Sequence, residues 1–399
     1  MNKKAKGTGY IRKRKNGMWE GQYHLNDKRK SIYGRDYNEV RSRLNTIYAE
    51  MLNDNYVEPS SITYGEWLIE WLETYSKPII RESTYISYET YIRAHITPKL
   101  GNIKLKSLNT DKLQKFFNDK AAGERLDNRT GGLSTKTLRN IKNMMHLALE
   151  QAKANELIVK NPVDAVKLPR QQPKDMRVLS TEEQSQLESV LGSSDEILAQ
   201  GILVALYTGV RIGELLGLLW SEVDLIDGSI NIRRSIRRQK RLDEHYGDNY
   251  EIIEGLSPET NKTAIMIGQV KTAKSRRKIY LPEKAINALK RLKAWQEDMK
   301  RQVGKQFNSM EFVLCNENGL PLDPRYYQDV FQRHIKKAGL THANFHALRH
   351  TFATRALEKG GDLNTVADIL GHAQPSTSLN MYGHSFDERR RKFMTLFNA

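Results

Sequence analysis

The sequence predicts a multidomain protein, mainly α-helical with small β-sheets: a three-stranded sheet plus one helix at the N-terminus, a helical bundle in the middle and an α+β domain behind. Three observations carry this. A chain of 399 residues exceeds one ordinary core of ~100 to 200 residues. Polar, proline-bearing stretches interrupt it at 53–61, with Pro59, and at 161–177, with Pro162, Pro169 and Pro173. The apolar pattern also changes, from strand-like before residue 35 to helical up to 154 and mixed beyond 180. Domains are therefore expected at 1–58, 62–168 and 175–399.

Residues 9–34 read as three strands, GYIRKRK, MWEGQYHL and KRKSIYG. Asn16-Gly17 signals a two-residue hairpin turn and Asn26-Asp27 a second turn. A helix is expected over 37–53, where Val40, Leu44, Ile47, Tyr48 and Met51 recur at helical spacing. The first 60 residues hold 13 Lys and Arg against 7 Asp and Glu, and Tyr10, Arg12, Arg14, Trp19 and Tyr23 fall on the strands. A sheet so equipped can enter a DNA groove, so this is read as an auxiliary DNA-binding module.

Four helices follow at 64–75, 83–96, 110–120 and 134–154 and form a compact bundle. Thr110 opens the third, and Ser134 or Thr135 caps the fourth. Lys136, Arg139 and Lys142 lie on the polar side of the fourth helix, which is the one expected against DNA. The 161–177 linker is expected to cross a phosphate backbone. Beyond it, Ser180-Thr181-Glu182-Glu183 has capping-box form, and an apolar helix is expected over 196–207. Strands are expected at 229–237, 264–270 and 276–281, with 238–262 as an extended hairpin or insertion.

Composition narrows the function. A formal charge of +17 and a pI near 9.6 favour an anionic polymer, and nucleic acid first, because each Lys or Arg contact with phosphate releases condensed counterions. No apolar run approaches the ~18 residues of a membrane span. The opening MNKKAKGTGYIRKRK lacks the apolar stretch of a signal peptide, so a cytoplasmic, DNA-associated protein is expected. Cys315 is the single cysteine, which excludes an internal disulfide and a cysteine metal cluster.

Four short stretches carry candidate chemistry. In YTGVRIGELLGL, Arg211 precedes a helix and Glu214 lies one turn on. A cation at a helix start needs a compensating anion, which a phosphate or Glu214 itself supplies. In HANFHALRHTFATRAL, His346 and Arg349 share a helical face. His346 and His350 have metal-ligand spacing, but position 347 is Ala rather than Glu, no third ligand is evident, and Arg349 would repel a dication. No metal is expected. The remaining stretches are VKTAKSRRKIYL, with Lys271, and ILGHAQPSTSLNMYGH, with His372 ten residues before Tyr382.

In this order the motifs TGVRIGELLGLLW, VKTAKSRRKIYLP, HALRHTFATRAL and LGHAQPSTSLNMY resemble the tyrosine recombinases, or phage-type integrases. The three-domain layout resembles the integrases of conjugative transposons. The resemblance implies a tyrosine-recombinase catalytic domain, a SAM-like core-binding domain and an arm-binding front module. It also implies the chemistry: Tyr382 as nucleophile, Arg211 and Arg349 clamping the scissile phosphate, His346 and His372 donating hydrogen bonds to it, and Lys271 as general acid. Lys274, in the same turn, is the alternative acid. Glu214 would orient Arg211, and no cofactor would be needed. Implied partners are double-stranded DNA at core and arm sites and a homotetramer on DNA built from free monomers, with room for an accessory excision factor. A catalytically silent DNA-binding protein of the same fold is the alternative, and it would have lost at least one of Arg211, His346, Arg349 and Tyr382. All four are present.

The C-terminal SFDERRRKFMTLFNA combines a basic run with Phe386, Phe393, Met394, Leu396 and Phe397. The resemblance favours docking of this tail onto a neighbouring protomer. Deleting residues 386–399 is expected to leave single-site DNA binding intact, by gel shift, while impairing strand exchange between two sites.

Overall fold

The computed structural model describes residues 10–25, 28–52, 61–123, 131–170, 176–242, 250–253, 256, 262–270, 273–308, 310–341 and 343–371. The chain divides into two compact units, Met1–Gln171 and Gln172–Ala399.

The first unit opens with β1 (Tyr10–Lys13), β2 (Trp19–Leu25) and β3 (Lys28–Gly34), an antiparallel meander followed by α1 (Tyr37–Leu52). Alternation along the strands sends Ile11, Trp19, Tyr23 and Ile32 toward Val40 and Leu44 of the helix, which makes a small core. The first turn differs from expectation. The Arg14 amide donates to the Met18 carbonyl at 2.7 Å, closing a three-residue loop, and Gly17 supplies its left-handed position at φ +82. Arg14 thus belongs to the turn rather than to the strand. The Asn26-Asp27 turn lies outside the described residues.

Tyr23 requires a correction: only 3% exposed, it belongs to the core and is not presented to a ligand. Trp19 is half-buried and meets Tyr37 edge to face. On the opposite sheet face Glu20 is buried and accepts from Arg12 (2.8 Å), Arg14 (3.0 and 3.2 Å), Ser31 (3.0 Å) and Tyr33 (3.2 Å). Arg14, then Arg12, hold this carboxyl well below the usual carboxylate range. Both arginines are therefore pinned at one end, and Tyr10 stands exposed.

The helical part has its own core. Helix α2 (Tyr64–Glu70) starts at a reciprocal Thr63–Glu66 capping box and continues in π-helical form over Trp71–Ser76. Helix α3 (Glu82–Thr90) does the same over Tyr91–Ile96, and α4 (Thr97–Leu100), α5 (Thr110–Ala122) and α6 (Thr135–Ala154) follow. Asn109 caps α5, one residue ahead of the expected Thr110, whose hydroxyl instead donates to the Pro162 carbonyl at 2.9 Å. Ser134 caps α6. At the centre the fully buried Trp67 donates its indole N–H to the Ala148 carbonyl at 2.9 Å.

The expectation for 161–177 is corrected in its first half. Val163 and Val166 are buried in the helical core. Lys142 donates to the Val166 carbonyl at 2.6 Å, and Asn161 donates to Glu150 at 2.8 Å. Two buried valines three positions apart fasten this proline-bearing stretch to the bundle as a strap, and its Lys142 contact occupies a residue expected on DNA. Residues 171–175 lie outside the described set.

In the second unit α7 (Thr181–Gly192) begins at the expected capping box, with Ser180 and Glu183 exchanging bonds. Helix α8 (Ala199–Thr208) is buried nearly all round, as its uniformly apolar sequence demands. Helix α9 (Ile212–Leu216) leads into β4 (Val223–Asp224), β5 (Ser229–Ile232), β6 (Arg234–Lys240), β7 (Tyr250–Ile252), β8 (Thr263–Gln269) and β9 (Arg277–Tyr280). Helices α10 (Glu283–Val303), α11 (Pro324–Lys337), α12 (Phe345–Glu358) and α13 (Leu363–Leu370) complete the described fold.

The strand expected over 229–237 is split at Arg233. Up to Ile232, which faces Arg277, it pairs with β9; from Arg234, which faces Gln269, it pairs with β8. The chain between 269 and 277 leaves one partner before joining the next, so a single extended segment serves two sheets, β4-β5-β9 and β6-β8-β7. Of the 238–262 stretch, the described β7 pairs antiparallel with β8, on the side away from β6. No described helix is long and apolar enough to cross a membrane.

Trp67→Ala is expected to cost about 3–5 kcal/mol, because it removes a large buried ring and the bond its indole N–H donates to the Ala148 carbonyl. Denaturant unfolding of the full chain, followed by circular dichroism, measures it.

Candidate active site

The site begins at the end of α8. Gly209 ends that helix at φ +64, and a Cβ there would stand 2.7 Å from side-chain atoms of both Leu370 and Phe352. Glycine therefore lets α12 and α13 approach the turn. Two residues on, Arg211 occupies the N-cap of α9 in extended conformation, which turns its side chain back along the helix start.

Glu214, 3% exposed, holds Arg211 in two ways. Its Oε1 accepts from Arg211 Nη1 at 2.7 Å and its Oε2 from the Arg211 amide at 3.1 Å. Oε2 also accepts from Arg277 Nη2 at 2.8 Å. Burial alone would raise the pKa of Glu214, but the bond and charge of Arg277, joined by Arg211, outweigh it and keep the carboxyl below its usual range. The anion that compensates Arg211 is thus built into the protein.

Arg349 and His346 come from α12, whose start is capped by Asn344 accepting from the Ala347 amide at 3.1 Å. Arg349 is 2% exposed and donates to the carbonyls of Gly209, at 2.8 Å, and Leu370. One guanidinium therefore joins the ends of α8 and α13. His346 keeps an exposed edge, yet its pKa lies below the ordinary histidine value, through lost hydration first and then the charges of Arg349 and Arg211. His350, buried, packs edge to face on His346 with ring centroids 4.7 Å apart. Its pKa is pushed down to about 4 by burial, then by His346 and Arg349. Burial first, and then neighbouring charge, disfavours the protonated form of both imidazoles.

Of the sequence-derived set, the structure brings together Arg211, Glu214, His346 and Arg349. Lys271, His372 and Tyr382 lie outside the described residues. Lys274 is exposed in the 3-10 turn Ala273–Ser275. On α6, Lys136 and Arg139 are exposed, whereas Lys142 is drawn toward Val166.

Arg277 escaped the sequence reading, and His350 entered it only as a rejected metal ligand. Linear order does not separate Arg277 from its neighbours Arg276 and Lys278, but alternation along β9 does: Arg277 shares the inward face with buried Ile279. Beside it opens a cavity of about 510 Å³ lined by Arg233, Arg234, Arg276, Arg277 and Lys278, a cationic depression suited to phosphate. In the first unit, donor atoms of His146, Glu150 and Asp164 lie within 4.8 Å of one another. Their bonds explain that grouping, since His146 meets Asp164 at 2.8 Å and Asn161 donates to Glu150, fastening the strap to α6.

Residues 257–389 match the domain described as Phage integrase family, and residues 63–121 the one described as Phage integrase, N-terminal SAM-like domain. The chain is 26% identical over 380 residues to the "Tyrosine recombinase XerC-like" protein of Caldanaerobacter subterraneus subsp. tengcongensis, covering 93% of this chain and 91% of that protein. Its fold is similar to that of the Tn1549 transposon integrase solved with transposon right end DNA, with a TM-score of 0.66, 22% identity and coverage of 85% and 100% of the two chains. It is also similar to a lambda integrase tetramer bound to a Holliday junction, with a TM-score of 0.53, 20% identity and coverage of 96% and 97%.

A histidine whose pKa is lowered on folding binds protons more readily in the unfolded chain, so stability rises with pH between the two values. The protein is expected to lose stability as pH falls from about 6.5 toward about 4, the window set by unfolded and folded His350. His350→Gln is expected to flatten that segment of a melting-temperature profile; an unchanged slope would count against the assignment.

Proposed function

Since the chain is a tyrosine recombinase of the phage integrase family, related to the integrases of conjugative transposons, we propose that it integrates and excises a mobile element by cutting and rejoining DNA at attachment sites. The observation that supports this most is the convergence of Arg211, Arg349 and His346, with Glu214 orienting the first.

A phosphodiester gains and spreads negative charge as a nucleophile adds. Planar guanidiniums match that geometry with paired donors, as point-like ammoniums do not. Arg211, held at one end by Glu214, points its remaining donors outward; Arg349 lends charge from a rigid position between α8 and α13. A tyrosine hydroxyl, with a pKa near ~10, needs a base or a cationic field at neutral pH. His346, kept neutral, is suited to take the proton of Tyr382. Attack by the Tyr382 oxygen forms a 3′-phosphotyrosyl ester and breaks the bond to the 5′-oxygen, which takes a proton from Lys271, or Lys274, as it leaves and becomes a 5′-hydroxyl. The ester retains the energy of the broken linkage, so the hydroxyl of another strand can reverse the step without ATP or metal. His372 supplies a further hydrogen bond to the phosphate.

The division at 1–58, 62–168 and 175–399 assigns arm-site DNA to the front module, through Tyr10, Arg12 and Arg14, since Trp19 faces the helix, and core-site DNA to the bundle, through Lys136 and Arg139. The protein would be a free monomer in the cytoplasm and a homotetramer on paired sites, with an accessory factor directing excision. The net charge of +17 supports the DNA assignment.

A nicked suicide substrate carrying an attachment site is expected to trap a covalent adduct with the native protein and none with Tyr382→Phe. Arg211→Ala is expected to slow adduct formation by about 10²- to 10³-fold. An adduct undiminished by Tyr382→Phe would exclude that residue as nucleophile.

A further inference from the structure

One arginine that the mechanism above does not use touches three separate parts of the site. Arg277 opens β9 opposite Ile232, and its side chain is 6% exposed against 39% for Arg211. Its Nη2 donates to Glu214 Oε2 at 2.8 Å, its Nη1 to the Ser275 carbonyl at 3.0 Å, and its Nε to the Ile369 carbonyl. Gly371, at φ +65, lies against the same guanidinium, where an added Cβ would stand 3.1 Å from Nη1. The segment carrying the candidate general acid, the carboxylate behind Arg211 and the residue preceding His372 thus meet on one side chain.

Donor and acceptor numbers explain the arrangement. A carboxylate can take both prongs of one guanidinium. Here Arg277 and the Arg211 amide together occupy Oε2, so the Arg211 side chain reaches Glu214 through Nη1 alone. Two cations share one anion, and Arg277 is by far the more buried of the two. The uncompensated charge therefore falls on Arg211, the member open to an incoming phosphate.

We propose that Arg277 is a positioning residue for strand cleavage: by holding Glu214 Oε2 and the end of α13, it directs the spare donors and surplus charge of Arg211 to the scissile phosphate. This rests on the phosphate-clamping reading given above. The phosphate contact falls to Arg211, and Arg277, only 6% exposed at the wall of the cationic cavity, acts on it through Glu214.

The test compares native protein, Arg277→Gln and Arg277→Lys in single-turnover adduct formation on two suicide substrates. One has an ordinary scissile phosphodiester, and the other an uncharged methylphosphonate at that linkage. Arg277→Gln is expected to lose about 10²-fold on the phosphodiester with core-site affinity unchanged, and most of that deficit is expected to vanish on the methylphosphonate, which presents no charge to clamp. Arg277→Lys keeps the buried charge and is expected to fall between the other two on the phosphodiester. Equal losses on both substrates, or no loss on either, would overturn the proposal. Should Arg277→Gln melt early, the same comparison between substrates is made with Arg277→Lys. Tyr382→Phe serves as control, because an adduct from that variant indicts the assigned nucleophile and leaves Arg277 aside.

Discussion

The catalytic unit depends on a buried carboxylate. Glu214 is out of contact with water, and an ionised group so placed is tolerated only when its lone pairs are taken by strong donors. It meets that demand with Arg211 and its amide on one side and Arg277 on the other. The consequences spread from there. Because the guanidinium of Arg277 also serves the Ile369 carbonyl, α13 is placed relative to α9; because Arg349 serves Gly209 and Leu370, α12 is placed relative to both. Removing one partner of such a buried pair typically costs about 3–5 kcal/mol, so geometry and stability are hard to separate here.

The same device recurs where the chain must display cations. Glu20 gathers Arg12 and Arg14 on the outer face of the front sheet, and Glu222, also buried, receives Arg234 at 2.7 Å beside the cationic cavity. In each case the carboxylate is buried and the arginines reach outward from it. A flexible basic side chain held at one end loses less freedom when it meets a phosphate, which is how a surface becomes pre-organised for an anion. It also explains how a chain of formal charge +17 keeps ordered arginines close together.

The helical part obtains its order differently. Trp67, Leu68, Ile96, Leu113, Phe117 and Ile141 are fully buried, and the 161–168 strap closes over them. Proline-bearing stretches read as linkers because they cannot join helices or ladders, but burial is a separate matter. Val163 and Val166 supply enough apolar surface to fasten this one, and Lys142 and Asn161 complete the attachment. The fold persists at low identity: the two solved structures described above share only 20% and 22% identity with this chain.

Periodicity, capping residues and turn glycines act over a few neighbours, and so the chain's order alone determined that helices begin at Ser180 and at Ser134 or Thr135 and that a turn falls at Asn16-Gly17; the grouping of Arg211, Glu214, His346 and Arg349 rested on motif order shared with a family. What those signals cannot carry is which side of an element becomes buried against something distant. The inward turn of Tyr23, the partner change at Arg233 and the capture of Glu214 by Arg277, 63 residues away, were decided only when separate segments packed. The reason is physical. A charged side chain is inward or outward according to whether a partner from elsewhere can satisfy it, and that partner is defined by the assembled fold rather than by its neighbours along the chain.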